Sequence, residues 1–289
     1  GHSVASAGDV NGDGCSDILI GAPEYDNGQE DEGAVFVYFG SPGGLVTSSY
    51  WSAESDDAGS RYGSSVASAG DVNGDGFSDV IVGAPEYYYG SGSIVLYYGS
   101  ANGLGSSTSL IGSHEDFGYC VSSAGDVNGD GYSDIIVGAP ASSLHGNMAG
   151  SVFLYYGSEG GISDDPDIGV GHDREGRYGH SVASAGDVNG DGYSDIIIGA
   201  NTCDSLAPEP ESGRVWVFHG SPGGVASLSP HSCEWSEYSR QAGAELGHSV
   251  SCAGDVNGDG FSDVIVGVPY YDSELTDAGR VLVFHGSPE

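Results

Sequence analysis

Five times along the chain a run of small residues gives way to a polar, glycine-rich loop, then to three consecutive aliphatics, and later to an aromatic-rich apolar run. The aliphatic triplets are Ile18–Ile20, Val80–Val82, Ile135–Val137, Ile196–Ile198 and Val264–Val266. A run without polar alternation belongs to a strand covered on both faces. The third segments, Val35–Phe39, Ile94–Tyr98, Val152–Tyr156, Val215–His219 and Val281–His285, read the same way. The first segment differs, since Ser3, Ala5, Ser6 and Ala7 and their counterparts are nearly all small. Such a strand suits crowding around a common axis. A weaker fourth strand is expected around Trp51, Ile111, Ile168 and Trp235, as on an outer edge. Packed β-sandwiches would instead put alternating polar faces on most strands. The pattern therefore predicts an all-β chain, a β-propeller with about four antiparallel strands per blade.

The polar loops set the period. The string DVNGDG starts at Asp9, Asp71, Asp126, Asp187 and Asp255, with spacings of 62, 55, 61 and 68 residues. A period that long marks one repeated supersecondary unit. The repeats run approximately 1–61, 62–116, 117–177, 178–245 and 246–289, the last lacking its outer strand. Together they form one propeller domain or a segment of a larger one, and the missing strand favours the segment. An open arc would leave strand edges that invite self-association.

Composition supports this outline. At 289 residues the chain can bury roughly 75% of its unfolded surface without disulfide support. The 52 glycines and the lack of sustained helical periodicity point to all-β structure. Five cysteines sit at non-equivalent positions without zinc-site spacing; Cys203 and Cys233 share a repeat and form a candidate pair. Six Arg and no Lys face 42 Asp plus Glu, for a net charge of −36. That field repels phosphate backbones and anionic lipid, which argues against nucleic-acid and membrane-surface partners. No apolar stretch approaches the length needed to cross a bilayer.

Within each loop the oxygen-bearing side chains fall at alternate positions. The first copy offers Asp9, Asn11, Asp13 and Asp17, with the backbone carbonyl of Cys15 between the last two. The others are Asp71, Asn73, Asp75, Phe77, Asp79; Asp126, Asn128, Asp130, Tyr132, Asp134; Asp187, Asn189, Asp191, Tyr193, Asp195; and Asp255, Asn257, Asp259, Phe261, Asp263. Hard oxygens in this rhythm, with glycines that let the chain curl, are what calcium requires, giving five expected Ca2+ sites. Because only a carbonyl is needed at the seventh position, its side chain is free to vary. Five calcium ions would bring −36 to about −26. An EF-hand would need an acid at position twelve and a following helix, but Ile20, Val82, Val137, Ile198 and Val266 stand there, inside strands.

Two further signals flank the loops: Tyr62-Gly63, Phe117-Gly118 and Tyr178-Gly179 before the first strand, and Gly21-Ala22-Pro23, Gly83-Ala84-Pro85 and Gly138-Ala139-Pro140 after the second. With them the chain resembles the FG-GAP repeat of integrin α-subunit propellers and related extracellular proteins. Departures are Leu246-Gly247, Gly199-Ala200-Asn201 and Gly267-Val268-Pro269. The resemblance implies calcium in the loop between the first two strands, an extracellular (secreted or cell-surface) location and an adhesive role. Seven blades are usual in integrins, with only some binding calcium; here all five loops are complete.

Catalytic chemistry is not evident. His2, His180 and His248 occupy one repeat position and His219 and His285 another, so they read as positional variants of a scaffold. Variation concentrates between the second and third strands, at 24–32, 86–91, 141–149, 202–212 and 270–278. These loops, opposite the acidic ones, are the expected recognition face for a protein or glycan ligand, with Tyr87, Tyr88, Tyr89, Tyr270 and Tyr271 as contact residues. A non-catalytic or lectin-like domain of a secreted enzyme and a surface-layer or filament subunit are the alternatives.

Overall fold

The computed structural model describes residues 1–48, 50–143, 148–171, 176–203 and 211–288. Among these residues nineteen strands make five sheets. They are β1 (Ser3–Gly8), β2 (Asp17–Ala22), β3 (Ala34–Tyr38) and β4 (Trp51–Glu54); β5 (Ser65–Gly70), β6 (Asp79–Ala84), β7 (Ser93–Tyr97) and β8 (Ser107–Ile111); β9 (Cys120–Gly125), β10 (Asp134–Ala139), β11 (Ser151–Tyr155) and β12 (Ile168–Gly171); β13 (Ser181–Gly186), β14 (Asp195–Ala200), β15 (Arg214–Phe218) and β16 (Trp235–Tyr238); and β17 (Ser249–Gly254), β18 (Asp263–Val268) and β19 (Arg280–Phe284). Each sheet is an antiparallel meander in chain order, the blade of a β-propeller. Among the described residues the fifth sheet has three strands.

Strand boundaries follow the pattern closely. The third strands end one residue early, so Phe39, Tyr98, Tyr156, His219 and His285 fall just outside them. The first strands carry a bulge before their terminal glycine, between Ser6 and Gly8 and at the equivalent places in the second, fourth and fifth sheets. Among the described residues the single helical segment is a turn at Tyr87–Gly90, where Tyr88 and Tyr89 adopt positive φ.

Contacts gather the chain into two compact units, residues 1–123 with 132–135 and 155–165, and residues 124–131, 136–154 and 166–289. In the first, Leu19, Val35, Val37, Tyr62, Val80 and Val82 are buried together. In the second, Ile197, Val215, Val217, Leu246, Val264 and Val266 play the same part. Strands expected to be covered on both faces are so in the second to fourth sheets, where β6, β10 and β14 are buried throughout. The first and fifth sheets depart from this: Ile18 in β2 and Val281 and Val283 in β19 are exposed.

The recurring glycines mark where one sheet meets the next. Tyr62, Phe117, Tyr178 and Leu246 are buried, and each forms a bridge to a glycine just before the previous sheet's third strand, namely Gly33, Gly92, Gly150 and Gly213. The glycine after each of these side chains then lies backbone to backbone against the glycine one residue before the end of the previous sheet's second strand. This is the physical content of the aromatic-Gly and Gly-Ala-Pro signals: one inserts a ring, the other removes the Cβ that would block it.

Candidate metal loops

Each acidic loop joins the first and second strands of its sheet and leads into a strand, so the EF-hand alternative fails on geometry too. The first Asp organises the turn. Asp9 Oδ1 accepts the N–H groups of Gly12 (2.7 Å) and Asp13 (3.1 Å), and Oδ2 accepts that of Gly14 (2.8 Å). Asp71, Asp126, Asp187 and Asp255 make the same three bonds, with the first at 2.7, 2.6, 2.7 and 2.7 Å. The third-position Asn accepts the N–H of the fifth-position Asp through Oδ1 and donates to its carboxylate through Nδ2, as Asn73 does with Asp75. Asp13, Asp75, Asp191 and Asp259 each accept the N–H of the seventh residue. Three side chains of every loop are thus gathered by the loop's own backbone; the fifth-position Asp is exposed in all five loops, while the first and third positions are half-buried in the first four and exposed in the fifth.

The ninth-position Asp stands apart. Asp17, Asp79, Asp134, Asp195 and Asp263 are buried at the start of the second strand. Asp17 accepts Val10 N–H (3.0 Å) and Gly40 N–H (2.8 Å), so it ties the loop's second residue to the end of the third strand. Asp79 repeats this with Val72 and Gly99, Asp195 with Val188 and Gly220, and Asp263 with Val256 and Gly286. Burial pushes the Asp79 carboxyl up to about 7; its two N–H donors pull down, while Asp75 and Asp71 push up further. Asp195 is raised to about 6, burial again being the leading cause. Asp263 is held low instead, since the Gly286 and Val256 N–H groups and the His285 ring outweigh burial. The His285 Nδ1 lies 3.1 Å from Asp263 Oδ2.

Among the described residues no three His, Cys, Asp or Glu side chains converge closely enough to ligate one ion as they stand. The donor chemistry nevertheless fits a hard cation. Positions one, three and five supply carboxylate and amide oxygens, a backbone carbonyl follows at seven, and acids outnumber bases at every loop.

Sequence reasoning treats the seventh side chain as free to vary, and the structure corrects that. Phe77, Tyr132, Tyr193 and Phe261 lie over Gly12, Gly74, Gly129 and Gly190 of the preceding loop, where a Cβ would meet the ring at 2.4–2.6 Å. Only a bare glycine admits the ring. Backbone bonds complete the seam: Ser78 N–H to Asp9 O (3.0 Å) and Ser100 N–H to Val10 O (3.1 Å), repeated by Ser133 and Ser158, by Ser194 and Ser221, and by Ser262 and Ser287. The signal was present, since four of the five seventh residues are aromatic.

The other chemistry-bearing residues do not assemble a reaction centre. His180 and His248 stack with ring centroids 5.0 Å apart. Glu245 accepts from His248 Nδ1 and from Asn201 Nδ2. None of the five cysteines is in a disulfide, so the Cys203–Cys233 pairing is not made. On the opposite ends of the sheets, Tyr88 and Tyr89 are exposed, Tyr87 packs on the first unit's core, and Tyr271 lies under Arg280. Parts of the loops at 141–149 and 202–212 and of the connection at 172–177 lie outside the described residues. No helix among the described residues is long and apolar enough to cross a membrane.

Meandering blades of three or four strands, joined by buried side chains beside facing glycines and each carrying one oxygen-lined turn, define a repeat-built propeller protein. The FG-GAP repeat matches at residues 1–38, 62–97, 117–155, 178–218 and 249–284, and the chain belongs to that family. Among its relatives, the integrin alpha pat-2 of Caenorhabditis briggsae is 31% identical over 260 residues, covering 80% of this chain and 21% of the relative. Integrin alpha-5 of Xenopus laevis is 33% identical over 231 residues, 78% of this chain and 21% of the relative. Integrin alpha-8 of Mus musculus is 30% identical over 236 residues, with 79% and 21% covered. The chain spans about one fifth of the length of these curated relatives.

Proposed function

We propose that the chain is an extracellular, calcium-stabilised module for adhesion or protein interaction. What carries the reading is one oxygen-lined turn repeated five times in an FG-GAP chain that is about 30% identical to integrin alpha proteins over most of its length. Calcium would be held at each turn by the first, third, fifth and ninth side chains and the seventh carbonyl, Asp9, Asn11, Asp13, Cys15 and Asp17 in the first copy and their equivalents in the other four. A bound divalent ion offsets the repulsion among the loop's carboxylates and stiffens the connection between the first two strands. Millimolar calcium outside cells would fill even weak sites, each adding stability by mass action.

Recognition is assigned to the loops between second and third strands, at the other end of each sheet. There the exposed Tyr88 and Tyr89 are held at positive φ by a tight turn, presenting two rings to solvent. Rigid aromatic groups on a fixed scaffold suit a protein or glycan surface. His180 and His248 stack on one another, and no catalytic role is assigned to the histidines.

Two measurements test the reading. Calorimetric titration of the chelator-stripped chain should show calcium uptake with a rise in melting temperature; no uptake rejects the metal assignment. Surfaces coated with the chain should retain purified extracellular-matrix glycoproteins, less so after Tyr88→Ser and Tyr89→Ser. Retention of none of them rejects the adhesive role.

A further inference from the structure

Away from the five acidic turns, the first sheet carries a second gathering of oxygen-bearing side chains, at the opposite end of its strands. The loop from β2 to β3 holds Glu24, Asp26, Glu30, Asp31 and Glu32 and no base, and the end of β4 with the connection after it adds Glu54, Asp56 and Asp57. Acids in an exposed loop are ordinarily there for water. One of these is not exposed. Glu32 is at 0% exposure, and its Oε2 is buried without a hydrogen-bond partner among the described residues.

The Glu32 carboxylate is turned into the loop, because its Oε1 accepts the N–H of Asn27. The Asn27 side chain reaches on to the end of β4, where Nδ2 donates to both carboxylate oxygens of Glu54 at 2.9 Å. Two carboxylates therefore converge on one asparagine, Glu32 buried and Glu54 open to solvent. Among the described residues no base is paired with either. Arg61, which follows in the same connection, directs Nη1 to Glu86 (3.3 Å) and Nη2 to Glu24 (3.1 Å). An ionised carboxylate kept from water with one oxygen unsatisfied is costly unless a partner is supplied.

The repeat itself does not ask for an acid here. Ser91, Ala149, Ser212 and Ala278 occupy the place of Glu32, each just before the glycine that precedes a third strand. The backbone role of the position needs no carboxylate: Glu32 O accepts Tyr62 N–H at 3.2 Å, as Ala149 O does for Tyr178 and Ser212 O for Leu246. The buried charge of Glu32 is thus an addition made in one repeat.

We infer that this place holds a divalent cation, Ca2+ by its donor chemistry, with Glu32 Oε2 as the buried ligand, Glu54 as the second carboxylate and the Asn27 amide, turned so that Oδ1 faces the ion, as the third. Two negative charges balance one divalent ion. Water completes the shell from the side of the exposed Glu54, and calcium accepts such irregular, partly hydrated oxygen shells more readily than magnesium. Only two of the three side chains are acids, so the place does not register as a cluster of three acidic or imidazole ligands. It is distinct from the five turns in position and in ligand set.

Equilibrium dialysis of the chelator-stripped chain against calcium counts the bound ions. Glu32→Ala installs the residue of two other repeats, and Glu32→Gln keeps the acceptor for Asn27 N–H without the charge. Each should bind about one equivalent fewer than wild type, and Asp75→Ala, in an acidic turn, should lose its own equivalent additively. The order of thermal melts is the second readout. In excess chelator Glu32→Ala should melt at or above wild type, having lost an uncompensated buried charge, whereas in calcium it should melt below wild type. Unchanged stoichiometry in both Glu32 variants would overturn the inference, whatever Asp75→Ala does. So would a melting difference that is equal with and without calcium, the mark of a carboxylate serving Asn27 alone, or one that follows pH and not calcium, the mark of a buried protonated acid. Loss of an equivalent on Glu32→Ala but not on Asp75→Ala would uphold it while rejecting the acidic turn as a site, so the two assignments fail separately.

Discussion

Gly63 lies so close to Gly21 that a methyl group built on Gly21 would stand 2.0 Å from the Gly63 carbonyl oxygen. Gly83 meets Gly118 and Gly138 meets Gly179 at the same separation, and Gly199 meets Gly247 at 2.3 Å. The obstacle is backbone, which cannot rotate away as a side chain can. The buried side chain beside each second glycine, Tyr62, Phe117, Tyr178 or Leu246, is held in register by this contact, so the seam depends on both.

Gly83→Ala should therefore cost about 1–3 kcal/mol of stability, the range for overpacking a closed interior, or more if the two sheets separate. Gly267→Ala is the control, since its Cβ would meet only the movable Ser249 hydroxyl closely. Denaturant midpoints of the two variants measure the difference. Equal losses would show that the Gly21–Gly63 type of contact does not hold the sheets together.

The seventh loop residue makes a second asymmetry. Phe77 covers Gly12, whereas among the described residues Cys15 covers no loop glycine. Phe77→Ala removes a partly buried ring and should cost about 1–3 kcal/mol. Cys15→Ala should be nearly neutral. A chelator added to both samples separates this packing loss from any effect on metal, because the backbone carbonyl survives in each variant.

What the sequence made legible follows from period. Unbroken triplets such as Val80–Val82 and the small-residue run at Ser65–Gly70 carry enough local signal to place strands, and a string repeated five times places the loops. The seams were less legible because they join residues about one repeat apart. Nothing local tells that the Phe77 ring needs Gly12, or that Asp17, grouped with the loop by spacing, is buried between Val10 and Gly40. Nor does an apolar third strand reveal whether a further sheet covers it: Val35 and Val281 look alike in sequence, yet one is closed and the other open.

Acid should weaken the second unit through one histidine. His180 is buried beside Arg177 and against His248, whose other neighbour is Glu245; burial first, then Arg177 and His248, lowers its pKa to about 4. Above the unfolded value of about 6.5 both states are neutral and the contribution is fully present. As pH falls from about 6.5 towards 4 the unfolded chain takes up a proton that the folded chain refuses, so stability is lost, on the order of 3 kcal/mol across the window. Tyr119 occupies the equivalent place in another repeat, which makes His180→Tyr a sound comparison. The gap between wild-type and H180Y denaturation midpoints should shift in favour of H180Y between pH 7 and 5. A gap independent of pH would remove His180 from the account.

The two acids of one loop should respond differently to chelation. Asp71 accepts three backbone N–H groups, from Gly74, Asp75 and Gly76, so it shapes the turn whether or not an ion is present. Asp75 accepts one backbone N–H, from Phe77, and the Asn73 amide. In calcium, Asp71→Ala and Asp75→Ala should each remove one binding equivalent in a calorimetric titration and lower the melting temperature. In excess chelator the metal-dependent loss disappears for both. Asp71→Ala should then remain less stable than wild type by about 1–2 kcal/mol, the cost of loop donors handed to water, and Asp75→Ala should lie closer to wild type. Unchanged calcium stoichiometry in both variants would mean that these carboxylates serve the backbone alone, and that the ion, if bound, is held elsewhere.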